Sequence, residues 1–351
     1  MEQTMIRIDG SLGEGGGQIL RSSLSLSLVT GTPFRIENIR AKRERSGLLR
    51  QHLTGVLAAA EVGQAQVEGS NLGSKEITFT PGTIRSGNHR FSVGTAGSAT
   101  LVFQTILPAL MTASTASEIT IEGGTHNQQA PPFDFLQKTF LPILNRMGPT
   151  VEVRLERYGF YPAGGGRFTA AIQPCAKLAQ IELVERGEIF GRVVSAIVAN
   201  LPRKIAEREI ATALRLLNWD ESCAEIITTQ NSAGPGNIVQ ISLSSPPVTE
   251  MFSGFGRLAT SAEAVASEAA RAARKYLACR AVASEHLADQ LLLPFALAGG
   301  GTFSAERLNS HARTNMQVIS TFLPVEFATT EEEGRVLVEV KPRADVLHGP
   351  A

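Results

Sequence analysis

Glycine-rich turns recur along this chain, and they constrain its fold more than any other feature. They are Gly13-Glu-Gly-Gly-Gly17, Gly94-Thr-Ala-Gly97, Gly123-Gly-Thr125, Ala163-Gly-Gly-Gly-Arg-Phe168 and Ala298-Gly-Gly-Gly-Thr-Phe303, of which the last two resemble each other closely. One such turn means no more than a backbone that needs positive φ. Five of them, spaced among short β-like runs and helical patterns, point to a βαβ-type unit used several times, each placing a backbone-rich loop on a shared face. Glu118-Ile-Thr-Ile-Glu122 alternates like a strand, and Phe135 to Leu144 follows with helical spacing. The stretch Ile19 to Val29 fits either period, since Leu20, Leu24 and Leu28 suit a helix while Leu24, Leu26 and Leu28 suit a strand. The glycine turn before it favours the helix. The fold class that follows is α/β (α+β).

Between residues 181 and 280 the character changes. Helical patterns at Arg203 to Leu217 and Ser261 to Tyr276 flank a Gly234-Pro-Gly-Asn237 turn and the strand pattern Ile238 to Leu243. The glycine-loop style then resumes. This order predicts a discontinuous main domain, 1–180 and 281–340, a smaller α/β domain inserted at 181–280, and a disordered tail at 341–351. With 351 residues and 43% hydrophobic content, the chain can bury both cores.

Lys and Arg number 33 and so do Asp and Glu, so attraction to nucleic acid must come from local basic patches. The densest is Arg40, Lys42, Arg43, Arg45 and Arg50. Three widely spaced cysteines, Cys175, Cys223 and Cys279, argue against a disulfide framework or a cysteine zinc site. The start lacks a basic, then apolar, leader, and no apolar run reaches membrane-spanning length; a cytoplasmic protein without a membrane partner is expected.

Several chemistries are excluded. There is no G-x-x-x-x-G-K-[ST] phosphate loop, HExxH or GxSxG motif. The nearest match to a lysine nucleotidyl-transferase motif is Arg7-Ile-Asp-Gly10, whose guanidinium stays protonated and is no nucleophile. Among six histidines, His311 stands out in Ser310-His-Ala-Arg-Thr-Asn315, just before an apolar run. A neutral imidazole attacks phosphorus competently near neutral pH. A Ser310–His311 dyad is set aside, because neighbours in a strand face opposite ways. In the first glycine loop, Glu14 is suited to a divalent cation and Arg21 to phosphate oxygens if a helix opens there. Asp289 and Gln290 begin an apolar helix and read most simply as first-turn residues favoured by its dipole.

Taken together, Gly13 to Arg21, Gly47-Leu-Leu-Arg-Gln-His-Leu53, Gly123-Gly-Thr125 with Ala130-Pro-Pro132, Tyr158 to Gly166, and Leu287-Ala-Asp-Gln-Leu291 resemble the RNA 3′-terminal phosphate cyclase family. The resemblance runs from about Ile6 to Val338. It implies repeated βαβ-type units related to the enolpyruvyl transferase fold, with a smaller α/β domain inserted. It implies an ATP-dependent ligase-type enzyme, a divalent cation (Mg or Mn), an RNA substrate ending in a 3′-phosphate, and a histidine-AMP intermediate on His311. Gln104, Pro131 and the stretch His286, Leu287, Ala288, Asp289 and Gln290 would bind the nucleotide; Gln18, Arg21, Arg43 and Gln51 would lie near it or its phosphates; Glu14 would touch the metal. The family pattern has tyrosine where this chain has His286, a smaller platform if that ring stacks on adenine. Edge strands leave room for a homodimer. Two other readings share such a fold: a non-catalytic ribosome-assembly scaffold, which has no need of His311, Glu14, Arg21 and Gln290 together, and an enolpyruvyl transferase, which would use phosphoenolpyruvate and no ATP.

Overall fold

The structure, a computed structural model, describes residues 5–343. In chain order its elements are β1 (Ile6–Asp9), α1 (Gly17–Thr30), β2 (Phe34–Glu37), α2 (Arg50–Val62), β3 (Gln66–Glu68), β4 (Ile77–Thr80), β5 (Gly87–Ser92), α3 (Ala99–Leu110), β6 (Ser117–Gly123), α4 (Phe133–Phe135), α5 (Leu141–Arg146), β7 (Thr150–Arg157), β8 (Gly166–Gln173) and β9 (Glu182–Leu183). Then follow β10 (Gly191–Ala199), α6 (Arg203–Leu217), β11 (Ala224–Thr229), β12 (Gly236–Ser244), β13 (Thr249–Phe255), α7 (Ala262–Leu277), α8 (Glu285–Leu297), β14 (Gly301–Ala305), α9 (Ser310–Phe322), β15 (Val325–Glu332) and β16 (Arg335–Pro342).

The repeat is visible in the pairing. Sheets β1-β2-β4-β3, β5-β6-β8-β7 and β9-β14-β16-β15 share one order. In each, the first two strands are parallel and the others antiparallel. A parallel pair needs a crossover, supplied by α1, α3 and α8 in turn. The apolar residues of α1 are buried almost all round, because α1 packs against α2, α3 and α9. Ile19 to Val29 is therefore helix, and its serines survive burial by internal bonding: Ser23 Oγ donates to Ile19 O and Ser25 Oγ to Thr105 O. Gly31, left-handed at φ 70°, ends the helix by donating its N–H to Ser27 O.

The third repeat is interrupted between β9 and α8 by a fourth sheet, β11-β10-β12-β13, with α6 and α7. This excursion has its own core, in which Val194, Val239 and Ile241 meet the alanine face of α7, Ala266, Ala269, Ala270 and Ala273. Because β9 pairs with β14, residues 182–183 belong to the third repeat's sheet, just inside the expected boundary at 181. Val248 and Met251 turn into the large core, and Thr139 Oγ1 donates to Thr249 O at 2.6 Å.

Three expectations need correction. Phe135 to Leu144 is not one α-helix: Leu136–Phe140 is a π-helical turn in which Leu141 N–H reaches back to Leu136 O. Pro142 follows directly, and widening the turn relieves its ring against the preceding carbonyls. The glycine turns do not all share a face either. Those at 94–97, 123–125 and 163–166 come together, with Gly124 N donating to Gly97 O at 2.8 Å and a Cβ on Gly164 coming to 2.7 Å from Ala96 Cα. The 298–301 turn joins the end of α8 to β14, at the far end of that helix from its N-cap Ser284. Lys341 and Pro342, expected in a tail at 341–351, belong to β16; residues 344–351, with His348, lie outside the described residues. Among the described residues no helix is long and apolar enough to cross a membrane.

Candidate active site

The site forms where the first turns of α1, α2 and α9 meet the middle of α8. The glycine loop lets these ends approach. Gly13 is left-handed at φ 51°, and a Cβ on it would overlap the Thr314 hydroxyl of α9. Lys42 donates to Gly13 O at 2.8 Å and clasps the loop from the other side.

His311 sits in the first turn of α9, behind Asn309, whose side chain caps the helix by accepting from Ala312 N at 2.8 Å. Its Nδ1 lies 3.0 Å from Gln18 Oε1. The Gln18 amide nitrogen donates to both carboxylate oxygens of Asp289, at 2.6 and 2.7 Å, which fixes Oε1 as the acceptor. Nδ1 must then donate, and Nε2 is the ring atom left for chemistry. Nε2 lies 2.6 Å from Glu14 Oε2, a contact that needs a proton between the two atoms, and Nε2 has a lone pair to offer once that proton leaves. Asn315 completes the arrangement, donating to Asp289 at 3.2 Å and accepting from Ser22 Oγ at 2.7 Å. Burial raises the Asp289 carboxyl above its ordinary value, opposed by Gln18, His311, Asn315 and Arg21.

Glu14 is held ionised. Its bond from Ser310 Oγ, then His311 and Arg43, keep the carboxyl below its ordinary range against a smaller cost of burial. Arg43 Nη2 is 3.2 Å from Glu14 Oε2. Ser310 and His311 thus share a carboxylate, although neither is in a strand; the geometry that set the dyad aside was wrong, and the serine is a partner of Glu14. Among the described residues no group of three His, Cys, Asp or Glu side chains could hold a metal. One hard carboxylate group beside His311 fits a divalent cation that takes its remaining ligands from phosphates and water, not a protein cage.

Arg21 lies on α1, about one turn beyond Gln18. Its guanidinium has no protein acceptor among the described residues, and burial brings it down to about 10, with Asp289 pulling the other way. Gln51 accepts Ser98 N–H at 2.7 Å, tying α2 to the start of α3 and leaving its own amide N–H groups free to donate. Pro131 carbonyl accepts from Thr100 at 2.7 Å. Of the basic cluster, Arg40 is spent on its own loop, donating to Gly47 O at 3.0 Å, Lys42 on Gly13 and Arg43 on Glu14, while Arg45 and Arg50 are exposed.

The stretch from His286 to Gln290 is divided by helix geometry. Because α8 starts at Glu285 behind the cap Ser284, Asp289 is a full turn inside it and is not a first-turn residue. His286, Asp289 and Gln290 fall on one side; His286 is exposed, and Gln290 Oε1 accepts from Gln104 at 2.6 Å. Leu287 and Ala288 are fully buried in the core, so their side chains cannot bind a nucleotide. Motif matching missed His52, which stands against Gly17 beside Arg21, and Asn315. No local signal marks either one: Asn315 meets Ser22 and Asp289 from distant parts of the chain, and His52 meets Gly17 and Arg21 only in the folded protein.

The family model described as RTC, RNA 3′-terminal phosphate cyclase, matches residues 12–329. The chain is 58% identical over 344 residues to the RNA 3′-terminal phosphate cyclase of Koribacter versatilis, covering 97% of each chain. It is 49% identical to the enzyme of that name from Ectopseudomonas mendocina, covering 96% of this chain and 98% of the other, and 47% identical, with the same coverage, to that of Salmonella typhimurium. The chain belongs to the RNA 3′-terminal phosphate cyclase family. A solved EPSP synthase from Acinetobacter baumannii overlaps 92% of this chain and 62% of its own at 11% identity with a TM-score of 0.28, too loose a fit to argue from.

Proposed function

We propose that this enzyme converts an RNA 3′-terminal phosphate to a 2′,3′-cyclic phosphate at the expense of ATP, through AMP carried on His311. The observation that carries this reading is the Asp289–Gln18–His311 relay, which leaves Nε2 as the available nucleophile. Once the proton shared by Nε2 and Glu14 has passed to the carboxylate and on to water, the Nε2 lone pair attacks the α-phosphorus, the bond to pyrophosphate breaks, and a nitrogen–phosphorus bond forms. The ring gains positive charge as it attacks; Nδ1–H passes this through Gln18 toward the Asp289 carboxylate, as an orienting acid does for a catalytic imidazole. Arg21 and Arg43 balance negative charge on the phosphates. A divalent cation on Glu14 would add the same kind of neutralisation.

An oxygen of the RNA 3′-phosphate then takes the AMP from Nε2 and restores the imidazole. The neighbouring ribose 2′-OH, already held beside that phosphorus, attacks it, loses its proton and expels AMP as the ring closes. Gln104, Pro131, His286 and Gln290 are assigned to the nucleoside.

The test is RNA bearing a 3′-phosphate incubated with enzyme and ATP. A phosphatase-resistant cyclic end, formed with one AMP per end and absent when the ribose is 2′-deoxy, is expected. Cyclisation without ATP, or phosphoenolpyruvate consumption instead, overturns the reading.

A further inference from the structure

His52 is not needed to explain the reaction above, yet its surroundings are specific. It occupies the third position of α2, from which a side chain can reach back to the helix's first free amide. Leu49 N–H donates to His52 Nδ1 at 3.3 Å. An amide can only donate, so Nδ1 carries the lone pair and the ring's proton is on Nε2. Among the described residues that Nε2–H has no protein acceptor. It faces Gly17, the first residue of α1: a Cβ there would overlap Nε2 and come to 3.2 Å from Arg21 Nη1. Nε2 therefore lies against the first residue of α1, and His52 lines one small recess together with Arg21 and Gln51.

Burial, with Arg21 and Arg40 nearby, pushes the imidazole down to about 3. Such a ring is too weak a base to accept a proton from a hydroxyl, and it stays uncharged throughout the working pH range. We infer that His52 is a phosphate-positioning residue, giving its Nε2–H to a phosphate oxygen seated between Arg21 and the start of α1. This rests on the cyclase reading for the identity of that phosphate, which belongs either to the nucleotide or to the RNA end. Glycine at position 17 lets the His52 ring approach this closely, since a Cβ there would collide with it.

Glutamine and glutamate at position 52 can both accept Leu49 N–H, but only glutamine keeps an N–H to offer. The experiment compares wild type with His52→Ala, His52→Gln and His52→Glu in two arms. One arm measures AMP transfer from ATP to enzyme without RNA; the other measures discharge of preformed adenylylated enzyme onto RNA with a 3′-phosphate. Ala and Glu are expected to slow at least one arm about 10- to 100-fold, and Gln to recover most of that loss. Loss in the first arm assigns the nucleotide's phosphate, and loss in the second the RNA's. The pH profile between 5.5 and 8 keeps its shape in His52→Gln. Glu performing as well as Gln, which a purely helix-capping role requires, overturns the inference, as does Gln no better than Ala. Should Ala fail to fold, the Gln and Glu pair decides alone. Should wild type take no AMP from ATP, the cyclase reading falls; thermal protection by inorganic pyrophosphate, kept in His52→Gln and lost in His52→Glu, then decides His52 separately.

Discussion

The two ends of the site differ in how their polar groups are employed. Around α9, every group that touches His311 is engaged with another: His311 with Gln18 and Glu14, Gln18 with Asp289, Asp289 with Asn315. Around the start of α1, the donors are present but unengaged among the described residues: the Arg21 guanidinium and His52 Nε2–H. The first end is organised before any ligand arrives, so its reacting atom is already oriented. The second holds desolvated donors without acceptors, a costly arrangement that an anion relieves. A third region, the inserted sheet, buries charge without facing this site. Glu209 is fully buried between α6 and β12, bonded to Asn237, with its second oxygen unpartnered.

These differences predict different failures. Removing the guanidinium strikes the receptive end hardest: Arg21→Ala is expected to cost ~10²–10³-fold in the overall rate, as losing a charged donor to a phosphate does, and steady-state kinetics will show it. At the organised end, Asp289→Asn leaves the pocket's shape but removes the charge behind Gln18, and AMP transfer is expected to fall roughly 10- to 100-fold with little change in KM for ATP. A large KM change instead would mean that Asp289 reads the nucleotide. Ser310→Ala, which takes one hydrogen bond from Glu14, should cost at most about tenfold and show as a raised requirement for cation.

The inserted sheet should respond in stability and not in rate. Burial pushes Glu209 up to about 7 from an ordinary 4.5, with Asn237 working against it. Below about pH 4.5 the carboxyl is protonated whether the chain is folded or not, and burial carries no penalty. As pH rises toward 7 the unfolded chain ionises first, so the native state loses stability, by a few kcal/mol (on the order of 3) once both states are ionised. Denaturant melts of Glu209→Gln should therefore match wild type near pH 4.5 and exceed it at pH 8, with cyclase activity unchanged. Equal stability at both pH values would remove Glu209's charge from the account.

How much of this was legible in the sequence differs between fold and site. Periodicity located the α6 and α7 patterns, because these depend on neighbours a few residues apart, while the glycine turns suggested a repeated βαβ unit without fixing its period, three of the five falling within the β5 to β8 repeat. The π-helical turn needed Pro142 to be read as a distortion and not as a tolerated helix residue. Gln18 and Asp289 lie 271 residues apart, and Gln18 and His311 lie 293 apart, so no spacing rule finds the relay. Motif resemblance brought these residues onto one list but could not separate His286 and Gln290, on the open side of α8, from Leu287 and Ala288 in the core. His52 was quoted within a motif and given no role, since its tautomer depends on a backbone amide that only the folded helix presents.

The most direct test is denaturing gel analysis of enzyme incubated with α-³²P-ATP and a divalent cation, comparing wild type with His311→Ala and following the label through acid treatment. Acid-labile label on wild type alone is the predicted result, since a nitrogen–phosphorus bond at His311 requires it. Label retained by His311→Ala, or stable to acid on wild type, contradicts the central claim.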